Sequence, residues 1–529
     1  MCALRVPLLV AAALCVAFTH PVRAATAADC AGLSQLKLPG TTLAAAVEPG
    51  PRFTPPTPPG ASMAARSAPA VSAAQVAPNP LFANLPAFCR VQGAIHPVPG
   101  SDIRFEVWLP LEGWNGKFQG TGNGGYNGAI VYTALATGLQ DHYATANTDM
   151  GHVATVPDPG RWALHHPERV VDEGYRAQHE TALKAKAVVQ AFYGSKPSRS
   201  YFVGCSAGGW QALTEANRYP HDYDGIIAGA PASQVVHLHA AQIWGYLAAR
   251  SIPASKVSVI ANAVLARCDA KDGVKDGLVS DPQGCDFKPE QLACKAGQDP
   301  ASCLLPAEVT ALQQLYAGAR FQDGSQVYPG WPRGFEPALA MAGSDAVAAL
   351  GSSTFKDMVY DNPDWDLNRI DYDRDVRAAD AKIGATMNDG SVDLDAFRKA
   401  GGKLILWHGW SDPLISTLHT VEYYHQLARH FAAAGDDDAA ATARVSDFAR
   451  LFLAPGVYHC GGGPGPNVLA TLPALEAWVE QGVAPESIPA VHHSAAGKVD
   501  RTRPICAFPR RARYDGKGDI NAAASFSCK

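Results

Sequence analysis

The segment Gly204-Cys205-Ser206-Ala207-Gly208 sets a serine among small residues. A serine hydroxyl is a weak nucleophile until a histidine takes its proton and a carboxylate holds that histidine in place. Small flanking residues permit a strained strand-to-helix turn that lifts the hydroxyl clear of a sheet edge. The amide after the serine, that of Ala207, then points at the oxyanion that develops during attack. The five-residue pattern alone arises by chance in many chains, so its context matters. Ser200-Tyr201-Phe202-Val203 before it reads as a short buried strand, and a helix is expected from about Gly209, carrying Trp210, Leu213 and Ala216. On such a scaffold the acid and the base follow the serine in that order. Asp412 fits the acid, in His408-Gly409-Trp410-Ser411-Asp412-Pro413 after the expected strand Lys403–Trp407. His459 fits the base, after the expected strand Ala449–Leu453. Most of the seventeen histidines must serve surface or structural ends. His459 stands apart because it follows the last expected strand and precedes Cys460. If Ser206 and His459 touch, Cys205 and Cys460 fall within bridging distance, roughly 4.4–6.8 Å between Cα atoms.

These groups need a rigid frame. Ile103–Leu109 reads as an alternating strand, Ala177–Phe192 as a helix, and Ile226–Ala230 and Lys403–Trp407 as buried strands. Strands alternating with helices imply a parallel or mixed sheet covered on both faces. Between the last two strands the βαβ rhythm stops, and four cysteines and many Gly and Pro residues mark a second domain, expected as a cap. Residues 43–80, rich in Ala and Pro, read as an extended surface segment, with Cys30–Cys89 as a bridge that would tie it down.

The chain has 529 residues, 47% hydrophobic and 18% charged, which excludes global disorder and allows a large core. A formal charge of −5 argues against a nucleic-acid partner, which selects for basic excess. Residues 1–24 read as an export signal, a short apolar run before Val22-Arg23-Ala24; a membrane anchor is the rival, but the run is short for a span. Beyond it no stretch is apolar enough to cross a bilayer, so no membrane association is expected after cleavage, and export places the chain in the periplasm or the medium. Ten cysteines then remain, an even number that reads as a disulfide framework; zinc is disfavoured because no CxxC pair exists.

Two further motifs have polar chemistry. Gly120-Thr121-Gly122-Asn123-Gly124-Gly125 lacks the Gly-Lys-Ser/Thr ending of a phosphate loop and better serves as a second oxyanion donor, from Gly124 or Gly125. Asp269, Asp272 and Asp276 place three carboxylates within eight residues among glycines, which suits a hard cation such as calcium. A solvated Asp-Gly turn is the alternative, and Ser280 at the twelfth loop position excludes an EF-hand. Asp436-Asp437-Asp438 has no glycine frame and reads as solvated loop.

Taken together, Cys205-Ser206, Asp412 and His459-Cys460 resemble the tannase and feruloyl esterase family of α/β-hydrolases. Asn147-Thr148-Asp149-Met150-Gly151-His152, Ala228-Gly229-Ala230-Pro231 and the tail from Arg501 to Cys528 extend the resemblance over most of the chain. It implies an α/β fold: an α/β-hydrolase core in two parts, 25–229 and 396–529, with an inserted lid at 230–395 that holds structural calcium. The calcium ligands it implies are the side chains of Asp269, Asp272 and Asp276 with the carbonyls of Val274 and Leu278, closed by Cys268 and Cys285. Cys294–Cys303 is expected as a lid pair, and Cys506 and Cys528 as disulfide cysteines of the tail. The implied activity is a serine esterase acting on small aromatic esters, feruloyl, galloyl or related. A hydrolase of aromatic-diacid monoesters such as mono(2-hydroxyethyl) terephthalate is the alternative. A serine peptidase and a non-catalytic aromatic-ligand binder are rivals of other classes. Trp331, Arg333 and Phe335 could clamp an aromatic acid or simply fill the lid core.

Overall fold

The computed structural model describes residues 26–51, 53–56, 80–126, 128–155 and 158–529. The expected export signal and residues 57–79 of the Ala/Pro-rich stretch lie outside them. Nine strands form one sheet: β1 (Thr41–Glu48), β2 (Phe88–Ile95), β3 (Ile103–Pro110), β4 (Lys117–Thr121), β5 (Ala144–Thr148), β6 (Arg199–Cys205), β7 (Gly225–Gly229), β8 (Lys403–Gly409) and β9 (Ala449–Ala454). Their order is β1-β2-β3-β5-β4-β6-β7-β8-β9. Pairing is antiparallel from β1 through β3 to β5 and parallel from β5 to β9. This is an α/β-hydrolase sheet. Strands β5 and β7 are buried at every residue because helices such as Ala177–Tyr193 and Ala207–Arg218 cover the faces.

The start of the expected extended surface segment is a strand: Thr41–Glu48 has half-buried and exposed residues and pairs in register with β2 as the sheet's edge. Two local expectations need correction. Strand β3 does not alternate, since only Arg104 is exposed. Glu106 is tolerated inside because Arg90 pairs with it and the Trp108 indole donates to it at 2.8 Å. The acidic run is not free loop either: Asp437 caps the helix Asp438–Val445, and Asp436 pairs with Arg444.

Between β7 and β8 no strand joins the main sheet. This stretch is largely helical, with Val235–Ala249, Ala254–Cys268, Pro306–Ala317, Asp345–Ser353 and Tyr372–Ala379. It has a core of its own, where Trp331 and Phe335 pack with Ile260 and Leu312. Arg333 stacks on Tyr316. Trp331 and Phe335, considered for an aromatic clamp, therefore fill the core, and Arg333 lies half-buried against it. Five disulfides close the framework: Cys30–Cys89, Cys205–Cys460, Cys268–Cys285, Cys294–Cys303 and Cys506–Cys528. Among the described residues no helix is long and apolar enough to cross a membrane.

Candidate active site

Strand β6 delivers Ser206 at its end, and the helix Ala207–Arg218 starts at the next residue, two earlier than Gly209. Ser206 has φ +65°, a region that side chains rarely occupy and that costs on the order of 1–3 kcal/mol. Its neighbours hold it there. Ser206 N donates to Gly229 O at 3.0 Å, while Ser206 O accepts from Trp210 N and Ala232 N, both at 3.0 Å. The glycines serve close approach more than turning. A Cβ on Gly204 would sit 2.2 Å from Gly208 O, and one on Gly209 would sit 2.2 Å from Gly229 O.

His459 and Asp412 come from the loops after β9 and β8. His459 Nε2 lies 2.8 Å from Ser206 Oγ, and its Nδ1 lies 2.7 Å from Asp412 Oδ2. Asp412 is fully buried, and its other oxygen accepts from Leu414 N at 2.8 Å and Ile415 N at 3.1 Å. Burial alone would raise its pKa; the charge of His459 and the hydrogen bonds from His408 and His459 outweigh that and hold it well below the usual carboxylate range. His408 Nε2 lies 3.0 Å from Asp412 Oδ2, and its Nδ1 lies 2.8 Å from Thr420 Oγ1. His408 lies near the end of strand β8 and Asp412 in the turn beyond it, so sequence spacing carries no signal for their contact. Cys205 and Cys460 are bonded with Cα atoms 5.9 Å apart, so the residues flanking Ser206 and His459 are joined covalently.

A cavity of about 620 Å³ opens over this triad. Ala207, Gly124 and Gly125 line it beside Ser206, where amide donors for an oxyanion are wanted. The far wall comes from the insertion and from the loop after β8: His239, Gln242, Leu350, Leu414 and Ile415, none of which was singled out from sequence. Among the described residues no Asp, Glu, Lys or Arg lines the cavity.

The acidic loop follows the helix Ala254–Cys268 and is closed by Cys268–Cys285. Asp269 accepts from Asp276 N and Gly277 N, and Asp276 Oδ2 accepts from Arg503 at 2.6 Å. Asp272 is buried, its Oδ1 accepts from Val274 N, and its carboxylate also meets the Ser280 side chain. A buried carboxylate in a disulfide-closed loop with two more carboxylates is oxygen-donor chemistry of the kind a hard cation takes.

The model of the family described as tannase and feruloyl esterase matches residues 89–529. An uncharacterized esterase of Xanthomonas campestris pv. campestris is 36% identical, over 96% of this chain and 92% of the relative. Mono(2-hydroxyethyl) terephthalate hydrolase of Piscinibacter sakaiensis is 33% identical, over 84% of this chain and 85% of the relative. The crystal structure of feruloyl esterase B from Aspergillus oryzae superposes with a TM-score of 0.83 at 26% identity, over 95% of this chain and all of that one. With a serine, a histidine and a buried aspartate in hydrogen-bonded sequence, the chain is a carboxylic ester hydrolase that belongs to the tannase and feruloyl esterase family.

Proposed function

We propose that the protein is an exported serine esterase that hydrolyses aromatic carboxylic esters through an acyl-enzyme. The observation behind this reading is the Ser206–His459–Asp412 chain of hydrogen bonds at the base of the cavity. His459 Nε2 takes the proton as Ser206 Oγ attacks the ester carbonyl, and Asp412 stabilises the imidazolium. The tetrahedral oxyanion is met by Ala207 N and by the amide of Gly124 or Gly125. His459 returns the proton to the departing alcohol, and water attacks the acyl-enzyme by the same route in reverse. Five disulfides, which persist in oxidising compartments, support export. Calcium would be held by Asp269, Asp272 and Asp276 with the carbonyls of Val274 and Leu278, and it would brace this loop without touching the reaction.

The cavity also bears on the acyl group. A terephthalate monoester has a free carboxylate, which would be desolvated here with no Lys or Arg among the described lining residues to meet it. An uncharged feruloyl, caffeoyl or galloyl group meets no such penalty. Initial rates on methyl ferulate, methyl gallate, chlorogenate and mono(2-hydroxyethyl) terephthalate test the reading. It expects the uncharged acyl groups to be favoured, and it fails if terephthalate monoester alone is turned over. A peptide panel run in parallel tests the peptidase rival.

A further inference from the structure

The oxyanion donors proposed above sit on two separate segments, the helix that starts at Ala207 and the loop after β4. Glycine fills three of the loop positions 122–125, so the backbone there has few side chains of its own to hold it. Asn123 is the exception, and all of its polar atoms are bonded within the protein. Its backbone N donates to Gln211 Oε1 at 3.1 Å, and its backbone O accepts from Gly208 N at 2.9 Å. Its Nδ2 donates to Thr148 O at 2.8 Å and Ala129 O at 3.0 Å, with Asn147 Oδ1 at 3.5 Å beside them. Its Oδ1 accepts from Gln211 Nε2 at 3.4 Å. These partners settle both amide orientations, because a backbone N–H faces Gln211 Oε1 and two carbonyls face Asn123 Nδ2. Asn123 and Gln211 are both buried. Gln211 lies one turn beyond Ala207, so its amide ties the loop to the helix that carries the other donor. The two segments also touch backbone to backbone: a Cβ on Gly122 would sit 2.5 Å from Gly208 Cα. On the sheet side Asn147 Nδ2 donates to Thr121 O at 2.8 Å and Thr121 Oγ1 at 3.0 Å, and lies 3.4 Å from Gly122 O, which fixes where the loop begins.

We infer that Gln211 and Asn123 are positioning residues that set the spacing between the two oxyanion donors, Ala207 N and the amide of Gly124 or Gly125. Their polar atoms are engaged with the protein, so they act on the reaction through the glycines that follow Asn123. As the Ser206 Oγ–C bond forms, the carbonyl π pair moves onto oxygen and the serine proton passes to His459 Nε2. That oxygen then needs both amides at once, which the neutral ester does not, so the clamp bears on kcat more than on KM. This rests on the serine-esterase reading and deepens it.

The test uses the full chain and whichever ester of the panel above is hydrolysed fastest. Gln211→Met keeps the reach of the side chain and removes both of its bonds to Asn123. We expect kcat to fall by about 10- to 100-fold, part of what losing one oxyanion donor outright costs, and KM to stay within about threefold. A second readout is inhibition by 2,2,2-trifluoroacetophenone, whose carbonyl carbon takes Ser206 Oγ to give a hemiketal oxyanion while the proton goes to His459. Its inhibition constant should rise by the factor by which kcat/KM falls, with the acid limb of kcat/KM unmoved. Gln178→Met is the control: Gln178 Nε2 donates to Gln211 O at 2.9 Å, a bond to the helix and not to the loop. It should lower the melting temperature and leave kcat near the parental value. In the unsubstituted protein, the Asn123 and Gly208 amides should exchange with solvent as slowly as those of β4 and β6. Fast exchange at both overturns the clamp even where Gln211→Met does not fold. A folded Gln211→Met with parental kcat overturns it too, as does a lowered kcat with an unchanged inhibition constant or a shifted acid limb. An equal loss of kcat in Gln178→Met overturns the assignment to the loop contact. If no ester of the panel is hydrolysed, the esterase reading fails and this inference falls with it.

Discussion

Removing the Cys205–Cys460 bridge should impair turnover more than its share of stability explains. The bridge spans 255 residues, so the loop-closure model gives it about 5.5 kcal/mol, against about 2.6 kcal/mol for Cys294–Cys303 with its separation of 9. Measured disulfides more often contribute about 2–4 kcal/mol. The kinetic argument is separate. Cys205 precedes the nucleophile and Cys460 follows the base, and the reacting pair is set at 2.8 Å. Relaxing that geometry by about 1 Å can cost on the order of 100-fold in rate. The double substitution Cys205→Ala with Cys460→Ala should therefore lose about 100-fold in kcat even when assayed well below its own melting temperature. Cys294→Ala with Cys303→Ala should stay within a few-fold of the parent under the same rule. Circular dichroism establishes that each variant is folded at the assay temperature, and peptide mapping confirms the parent's bridges. A folded Cys205/Cys460 variant with parental kcat would refute the reasoning, because the sheet and loops would then hold the triad without the clamp.

Other outcomes follow from the same geometry. Ser206→Ala should lower kcat by on the order of 10⁶-fold without unfolding the protein; ester hydrolysis near the parental rate in a clean preparation would sink the nucleophile assignment. Chelation should lower the melting temperature by a few degrees and excess calcium should restore it, since an ion bound only by the native state stabilises it; a melting curve indifferent to both would return the Asp269–Leu278 loop to a plain turn. His408→Phe removes one of two N–H groups on Asp412 Oδ2 and leaves more charge facing His459, so the acid limb of kcat/KM should move to higher pH; an unmoved limb argues that His408 only fills space. Burial raises the Asp149 pKa to about 7, so its contribution to stability is complete below its unfolded value near 4 and lost as pH rises through about 7. Asp149→Asn should flatten the fall in melting temperature between pH 5 and pH 8, although Glu336, buried and raised to about 7, will retain part of it.

The three residues of the hydrogen-bonded triad were legible because each follows a strand end, where short-range pattern and long-range position coincide. Buried apolar runs fixed β6, β8 and β9, and function then fell to the next few residues. The start of the helix after Ser206 was misplaced for a physical reason. Gly208 and Gly209 look like turn residues, yet they are helical, and Gly209 is glycine because Gly229 leaves no room for a Cβ. That demand comes from a strand twenty residues away and leaves no local trace. The cavity wall was less legible still. The helix Val235–Ala249 is apolar on nearly every side, so a histidine and a glutamine inside it look like satisfied core residues. Whether they are satisfied is decided by partners remote in sequence: Thr354 for His239, Leu414 for Gln242. The proposed triad is thus written in local motifs around single residues, whereas the cavity wall is assembled from the insertion and the loop after β8, which meet only in the folded chain.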